Sequence, residues 1–261
     1  MKAVRVDYPV EWPYANVYTL ADLHIGDPHC NDAEVQKLVK RVQDDPYGLC
    51  ILNGEMNNAL RNSVSDVYGE LMAPMQQMEY LVKLLTPIKE KIIGVTTGNH
   101  ENRTYRDSAQ DITGFVCGQL GIYDRFAPEG ILVYLRFGTQ ANPHKKAHRN
   151  PRQWYSIYAT HGSGGGRKEG AKAIRLADMA SIVDADCYIH SHTHLPMVMK
   201  QSFFRADAIN CCAKKVQKLF VNTGASLEYG GYGQAQEFKP AAIAYPVIHL
   251  EAKNKKMTVT M

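Results

Sequence analysis

The sequence predicts an α/β fold built from two facing mixed β-sheets with helices on the flanks. Two observations predict it. Five short apolar or β-branched runs each end at a small polar cluster, as strands buried on both faces do when they run up to a site. The first two thirds of the chain alternates such runs with amphipathic helical patterns, whereas from Met197 onward strands follow one another without long helices.

Taken in order, residues 16–20 read as a strand. Asn31 or Asp32 then caps a helix carrying Val35, Leu38, Val39 and Val42 on one face, stopped by Asp45-Pro46. Residues 49–52 form the next strand. Pro74 opens a second helix with Met75, Met78, Leu81, Val82 and Leu85 on one side, the methionines reading as core filler. A strand at 92–97, a helix at 111–120, strands at 131–137 and 154–160, a helix at 169–182 and a strand at 186–189 follow. The last strands are expected at 197–204, 216–222, 242–250 and 256–260.

The chain of 261 residues, 45% hydrophobic and 21% charged, is ample for one large domain, with the motif-bearing core at about 15–226. No Pro/Gly/Ser-rich linker or internal repeat divides it. Met1 to Arg5 lack the apolar core of a signal peptide, and no apolar run approaches a membrane span, so a cytoplasmic protein without membrane contact is expected. The six cysteines show no C-x-x-C spacing and read as free thiols of a reducing compartment.

Formal net charge is +4, mildly basic, and by itself no sign of nucleic acid. The cations are uneven, however. Residues 144–152 hold Lys145, Lys146, Arg149 and Arg152 with His144 and His148 between two strand-like runs. This is either a solvated hairpin tip or a loop that tracks the phosphates of a polyanionic substrate. Residues 162–168, Gly-Ser-Gly-Gly-Gly-Arg-Lys, precede a helix. They read as a flexible connection or as a substrate-facing loop in which Arg167 and Lys168 hold a phosphate oxygen. Tyr229-Gly230-Gly231-Tyr232-Gly233 reads as a surface loop or a substrate lid.

The polar clusters carry the chemistry. They are Asp22-Leu23-His24, Gly54-Glu55, Gly98-Asn99-His100-Glu101, His161-Gly162 and His192-Thr193-His194. Ligands at the carboxyl ends of parallel strands converge on one sheet edge. Their O and N donors, with no cysteine, suit divalent manganese, iron, zinc or nickel. In extended backbone an Asp-x-His or His-x-His pair points both side chains the same way.

The order of these motifs resembles the calcineurin-like metallophosphoesterase superfamily, and Val221 to Ser226 resembles the strand and turn that follow in it. The resemblance implies a β-sandwich core and a phosphoric ester hydrolase with two divalent metals, manganese first. It implies Asp22, His24 and His194 on one metal, Asn99, His161 and His192 on the other, and Glu55 bridging. It implies hydrolysis by metal-activated water, His100 steadying the phosphoryl group or protonating the leaving alkoxide, Glu101 orienting His100, and Asn58 supporting the ligands from behind. The substrate is a phosphoester, with a phosphodiester of a nucleotide or nucleic acid favoured over a phosphomonoester.

Two positions depart from the family pattern: Glu55 stands where Asp is usual, and Ser191 where Gly is common. The longer Glu arm must fold back, or the metal pair must shift. A natural variant repacked around Glu, a weakened or non-catalytic metal-binding member, and an engineered substitution that slows turnover all stay open.

Overall fold

The computed structural model describes residues 1–58, 67–139, 153–164 and 166–261. The basic segment at 144–152, with Lys145 and Lys146, lies outside them.

The strands are β1 (Lys2–Pro9), β2 (Tyr14–Leu20), β3 (Gly48–Asn53), β4 (Ile92–Thr96), β5 (Ile131–Thr139), β6 (Gln153–Thr160), β7 (Cys187–His190), β8 (Met197–Asp207), β9 (Cys212–Asn222), β10 (Val247–Glu251) and β11 (Met257–Thr260). The helices are α1 (Asp32–Asp44), α2 (Pro74–Leu85), α3 (Asn99–Ser108), α4 (Ile112–Leu120), α5 (Glu169–Asp178) and α6 (Gly231–Ala235). One sheet runs β11-β10-β2-β3-β4 and the other β1-β5-β6-β7-β9-β8.

Period-two alternation sorts side chains between layers. Val17, Leu49 and Ile51 point between the sheets and meet Val133, Leu135, Tyr155, Ile157 and Ile189 of the facing sheet. Their neighbours Tyr18, Leu20, Cys50 and Leu52 point outward and are covered by α1, α2 and α4 through Val35, Leu38, Met78, Leu81 and Val116. On the far side Tyr158, Tyr188 and Phe220 pack under α5 through Leu176. The result is a helix–sheet–sheet–helix stack, the architecture expected from the sequence.

Caps follow the sequence. The Asn31 side chain accepts from Glu34 N–H at the start of α1, and Asp111 accepts from Gly114 N–H at the start of α4. Several boundaries differ from expectation. β1 was not foreseen: it is half-exposed, alternates polar residues, and pairs parallel with β5 at the sheet edge. α3 was not foreseen either, because its residues are too polar to show an apolar stripe. The helix expected to reach 182 ends at Asp178, with a 3-10 turn at Met179–Ser181. β10 begins at Val247, five residues later than the apolar pattern suggested.

β2–β3–β4 are mutually parallel, as are β6–β7–β9. Their carboxyl ends therefore release Asp22, Glu55, Asn99, His161 and His192 along one rim. β5 ends and β6 begins at the opposite end. Gln153 pairs with Phe137, and the seven steps from Gln153 to Thr160 span roughly 23 Å. Among the described residues no helix is long and apolar enough to cross a membrane.

Candidate metal centre

The strand-end loops lock together before any ligand is considered. Asp22 N–H donates to Gly54 O, His24 N–H to Glu55 O and Ile25 N–H to Met56 O, extending the β2–β3 pairing past both strands. Asn53 is a second tie. Its amide donates to Thr160 O (2.8 Å) and Ser191 Oγ (2.7 Å), and its oxygen accepts from Thr96 Oγ1 (2.9 Å). Ser191 thus uses the hydroxyl that distinguishes it from the family glycine to join the two sheets.

The backbone corrects one expectation. Asp22, His24, Glu55, His192 and His194 do not sit in extended backbone; all have φ between 50° and 66°. Left-handed backbone is rare for residues with a Cβ and costs on the order of 1–3 kcal/mol each. Here it turns each side chain inward from a tight loop. The remaining candidates, Asn99 and His100, open α3 instead, and His161 continues directly from β6.

Two groups of ligand atoms result. Asp22, His24, Glu55 and His194 form one, and Glu55, His161 and His192 the other, each with its donor atoms within 4.8 Å of one another. Glu55 belongs to both. Its Oε2 lies 3.2 Å from His24 Nε2 and 3.8 Å from His194 Nε2, while its Oε1 lies 3.6 Å from His161 Nε2 and 3.9 Å from His192 Nδ1. Gly98 packs closely against this turn: a Cβ there would clash with Glu55 N and lie 2.5 Å from Glu55 Cγ. Asn99 joins the second group, its Oδ1 3.0 Å from His161 Nε2.

Second partners fix the rings. His161 Nδ1 lies 2.8 Å from Asn53 O, and His24 Nδ1 lies 3.3 Å from Asn58 Oδ1. An N–H on each Nδ1 leaves the inward Nε2 free to bind a cation. Three buried atoms of the cluster, Asp22 Oδ1, Glu55 Oε1 and His192 Nδ1, make no hydrogen bond. Unpartnered buried acceptors are costly, and divalent cations bound by O and N would satisfy them. The residues present therefore fit a pair of metal ions.

The charges respond to this crowding. Burial disfavours the imidazolium of His194, but Asp22 at 3.3 Å and then Glu55 outweigh it and push its pKa up to about 10. The same opposition, with Glu55 the main partner, takes His161 to about 9. Burial would raise the Glu55 carboxyl, yet the surrounding imidazoles, His161 first, hold it well below the usual carboxylate range. His100 goes the other way: burial takes it down to about 4 against the pull of Glu55.

His100 Nδ1 lies 2.8 Å from Asn58 O, and its Nε2 lies 3.7 Å from Glu55 Oε1. The main-chain carbonyl of Asn58, not Glu101, orients this ring. Glu101 instead turns away and accepts from Asn57 N–H (3.0 Å), Glu55 N–H (3.2 Å) and Gly98 N–H (3.2 Å). It opens α3 as a capping residue and ties that helix to the Glu55 turn, because the three N–H groups point at it and His100 does not.

Of the proposed phosphate contacts, Arg167 stacks over Phe238 at 5.4 Å and Lys168 caps α5. A cation that the motifs did not single out stands nearer the rim: Lys172 Nζ donates to Thr193 O at 2.8 Å, between His192 and His194. Only its helical spacing from Lys168 could have drawn attention to it. Asn53, Asp27 and Glu70 were likewise missed, since each works through contacts distant in sequence.

A search of curated protein sequences gives no match. Among solved structures the chain is similar to a predicted phosphoesterase from Streptococcus pneumoniae TIGR4 (13% identity, 95% of this chain and 99% of that one, TM-score 0.38). It is also similar to Vacuolar Protein Sorting 29 from Cryptosporidium parvum (15%, 95% and 96%, 0.43) and to GAP50 of Plasmodium (10%, 95% and 84%, 0.46). The family model of the calcineurin-like phosphoesterases matches residues 23–196, two thirds of the sequence and all but the first of the motif residues, and the chain belongs to that family.

Proposed function

We propose that this protein is a two-metal phosphodiesterase acting on a nucleotide or nucleic acid. One observation carries the two-metal part: the two oxygens of Glu55 face different imidazole pairs, as a bridging carboxylate requires. Asp22, His24, His194 and Glu55 would hold one ion, and Glu55, Asn99, His161 and His192 the other. Bound there, two divalent ions (manganese first, then iron, zinc or nickel) would acidify a water and neutralise the phosphoryl oxygens.

The chain's own residues do the rest. The left-handed turns and the Asn53 and Asn58 contacts hold the ligands in place, so little reorganisation accompanies the reaction. His100 Nδ1 donates to Asn58 O, which leaves Nε2 bare; there it would take the proton released by the attacking water and pass it to the leaving alkoxide as the P–O bond breaks. Lys172, Arg167 and Lys168 supply positive charge beside the rim for a substrate anion.

The diester preference is supported by the Gly/aromatic segment at 229–233 and by the basic stretch 144–152, whose flanking strand ends lie roughly 23 Å from the rim, a distance only a polynucleotide would span. A panel of mono- and diester chromogenic substrates, cyclic nucleotides and single-stranded DNA, each with Mn, Ni, Zn and Mg, tests it. Turnover of diesters above monoesters is expected. A reversed preference would make the protein a phosphomonoesterase. Full hydrolysis in chelator would remove the two-metal reading, and no turnover of any ester with metal bound would leave a binding module. Neutralising Lys145, Lys146, Arg149 and Arg152 together should weaken polynucleotide binding and flatten its salt dependence, with chromogenic diester turnover unchanged.

A further inference from the structure

A line of hydrogen bonds runs from the buried face of α2 to His24, and with Glu70 ionised each bond has only one permitted direction. Gln77 is fully buried at the base of the line. Its Nε2 donates to Met72 O (3.0 Å) and to Glu70 Oε2 (3.0 Å). Glu70 Oε1 lies 2.8 Å from Asn58 Nδ2, and Asp27 Oδ2 lies 3.4 Å from that same nitrogen. Burial pushes the Glu70 carboxyl up to about 7, so above that pH it is a carboxylate, and a carboxylate only accepts. The Asn58 atom facing Glu70 and Asp27 must therefore be its NH2, and the atom facing His24 must be its oxygen. That oxygen accepts from His24 Nδ1 at 3.3 Å, so the proton of the neutral ring sits on Nδ1 and Nε2 is left bare toward Glu55 and His194.

We infer that Glu70 is a positioning residue that fixes the Asn58 amide and, through it, the metal-binding tautomer of His24. It touches neither substrate nor ligand. The inference rests on His24 being a metal ligand. Its physical content is a parity rule: reversing any one bond in the line reverses the next. Asp27 reinforces the choice but is held by His29, whose main-chain N–H donates to Asp27 Oδ1 at 2.7 Å. His100 is exempt. It bonds the main-chain oxygen of Asn58, which no side-chain flip can move.

Glu70→Gln tests the rule with an isosteric side chain. Its amide presents one acceptor where two donors wait. Gln77 is pinned by Met72, so the mismatch falls on Asn58, whose flip would set an NH2 against His24 Nδ1. Zinc binding to the metal-stripped protein, read by calorimetry, should then weaken about 10–100-fold at one of two sites. Nitrogen NMR of the zinc-loaded wild type should show His24 with its proton on Nδ1, and His100 should be the same in wild type and variant. Asn58→Asp combined with Glu70→Gln restores an acceptor facing His24 and a donor from residue 70. Zinc affinity should recover relative to Glu70→Gln. Unchanged zinc affinity in Glu70→Gln, failure of the double variant to recover it, or a wild-type His24 protonated on Nε2 would each overturn the inference. Should Glu70→Gln not fold, the neutral His24 ring of metal-free wild type at alkaline pH decides, because zinc on Nε2 would by itself leave the proton on Nδ1. If zinc does not bind the wild type at all, the two-metal proposal fails separately, and His24 Nδ1 protonation at alkaline pH reads the parity rule alone.

Discussion

The Nε2 atoms of His24 and His194 lie 3.3 Å apart, although 170 positions separate the residues in sequence. With His24 Nδ1 committed to Asn58, these two nitrogens can face each other only with a cation or a proton between them. Metal ions and protons therefore compete for the same lone pairs, and pH reads the competition directly.

Without metal, Glu55 and Asp22 push His161 up to about 9 and His194 up to about 10, above the ordinary 6.5. Groups with raised folded-state pKa values stabilise the fold fully below 6.5, and that contribution is lost as pH rises through 9 and 10. Chelator-treated protein should thus melt at progressively lower temperature from pH 7 to 10, whereas metal-loaded protein should not. Apparent metal affinity should rise over the same window. Thermal melts at stepped pH, with and without metal, check both; a flat metal-free profile would contradict the imidazolium assignment.

Glu55 reaches different imidazoles with its two oxygens, His24 at 3.2 Å and His161 at 3.6 Å. Glu55→Asp shortens the reach by about 1.5 Å and should pull one oxygen away from its imidazole pair. A drop in kcat of about 10²-fold is expected, with weaker binding of one metal. Steady-state kinetics on a single diester at saturating metal decides; a faster Asp variant would show that this position impairs the site.

His100→Ala should lower kcat by about 10²–10⁴ while metal content stays near the wild-type value, because its Nε2 faces Glu55 Oε1 at 3.7 Å from beside the ligand set. Metal analysis of the purified variant accompanies the kinetics. Loss of metal in step with activity would make His100 a ligand.

Glu101→Ala should act on stability before chemistry. It would strand the buried N–H groups of Glu55, Asn57 and Gly98 and cost at least about 3 kcal/mol. Glu101→Gln keeps one acceptor and should lose less. Denaturant unfolding of both variants tests this, and an alanine variant as stable as wild type would show that water serves these groups equally well.

Much of this was legible in the chain. Leu49 to Leu52 and Cys187 to Ile189 announce buried strands by composition alone, and Glu55 and His192 follow them at once, so the ligand types and their common rim could be read locally. β1 and α3 could not. One is a half-exposed edge strand and the other a polar helix, and burial is what writes a pattern into sequence.

The sequence by itself determined which side chains are available, that parallel strands deliver them to one edge, and the family to which the chain belongs. Only the tertiary structure decided how they meet. The left-handed turn at Glu55 divides its two oxygens between two imidazole pairs. Glu101 was diverted from His100 to three backbone N–H groups. Asn58 was turned by Glu70, 12 positions away, to face His24, 34 positions away. The reason is physical. A residue's type and its local period are properties of a short stretch of chain, but the direction of a hydrogen bond and the sharing of a carboxylate depend on atoms that only the packed loops bring together.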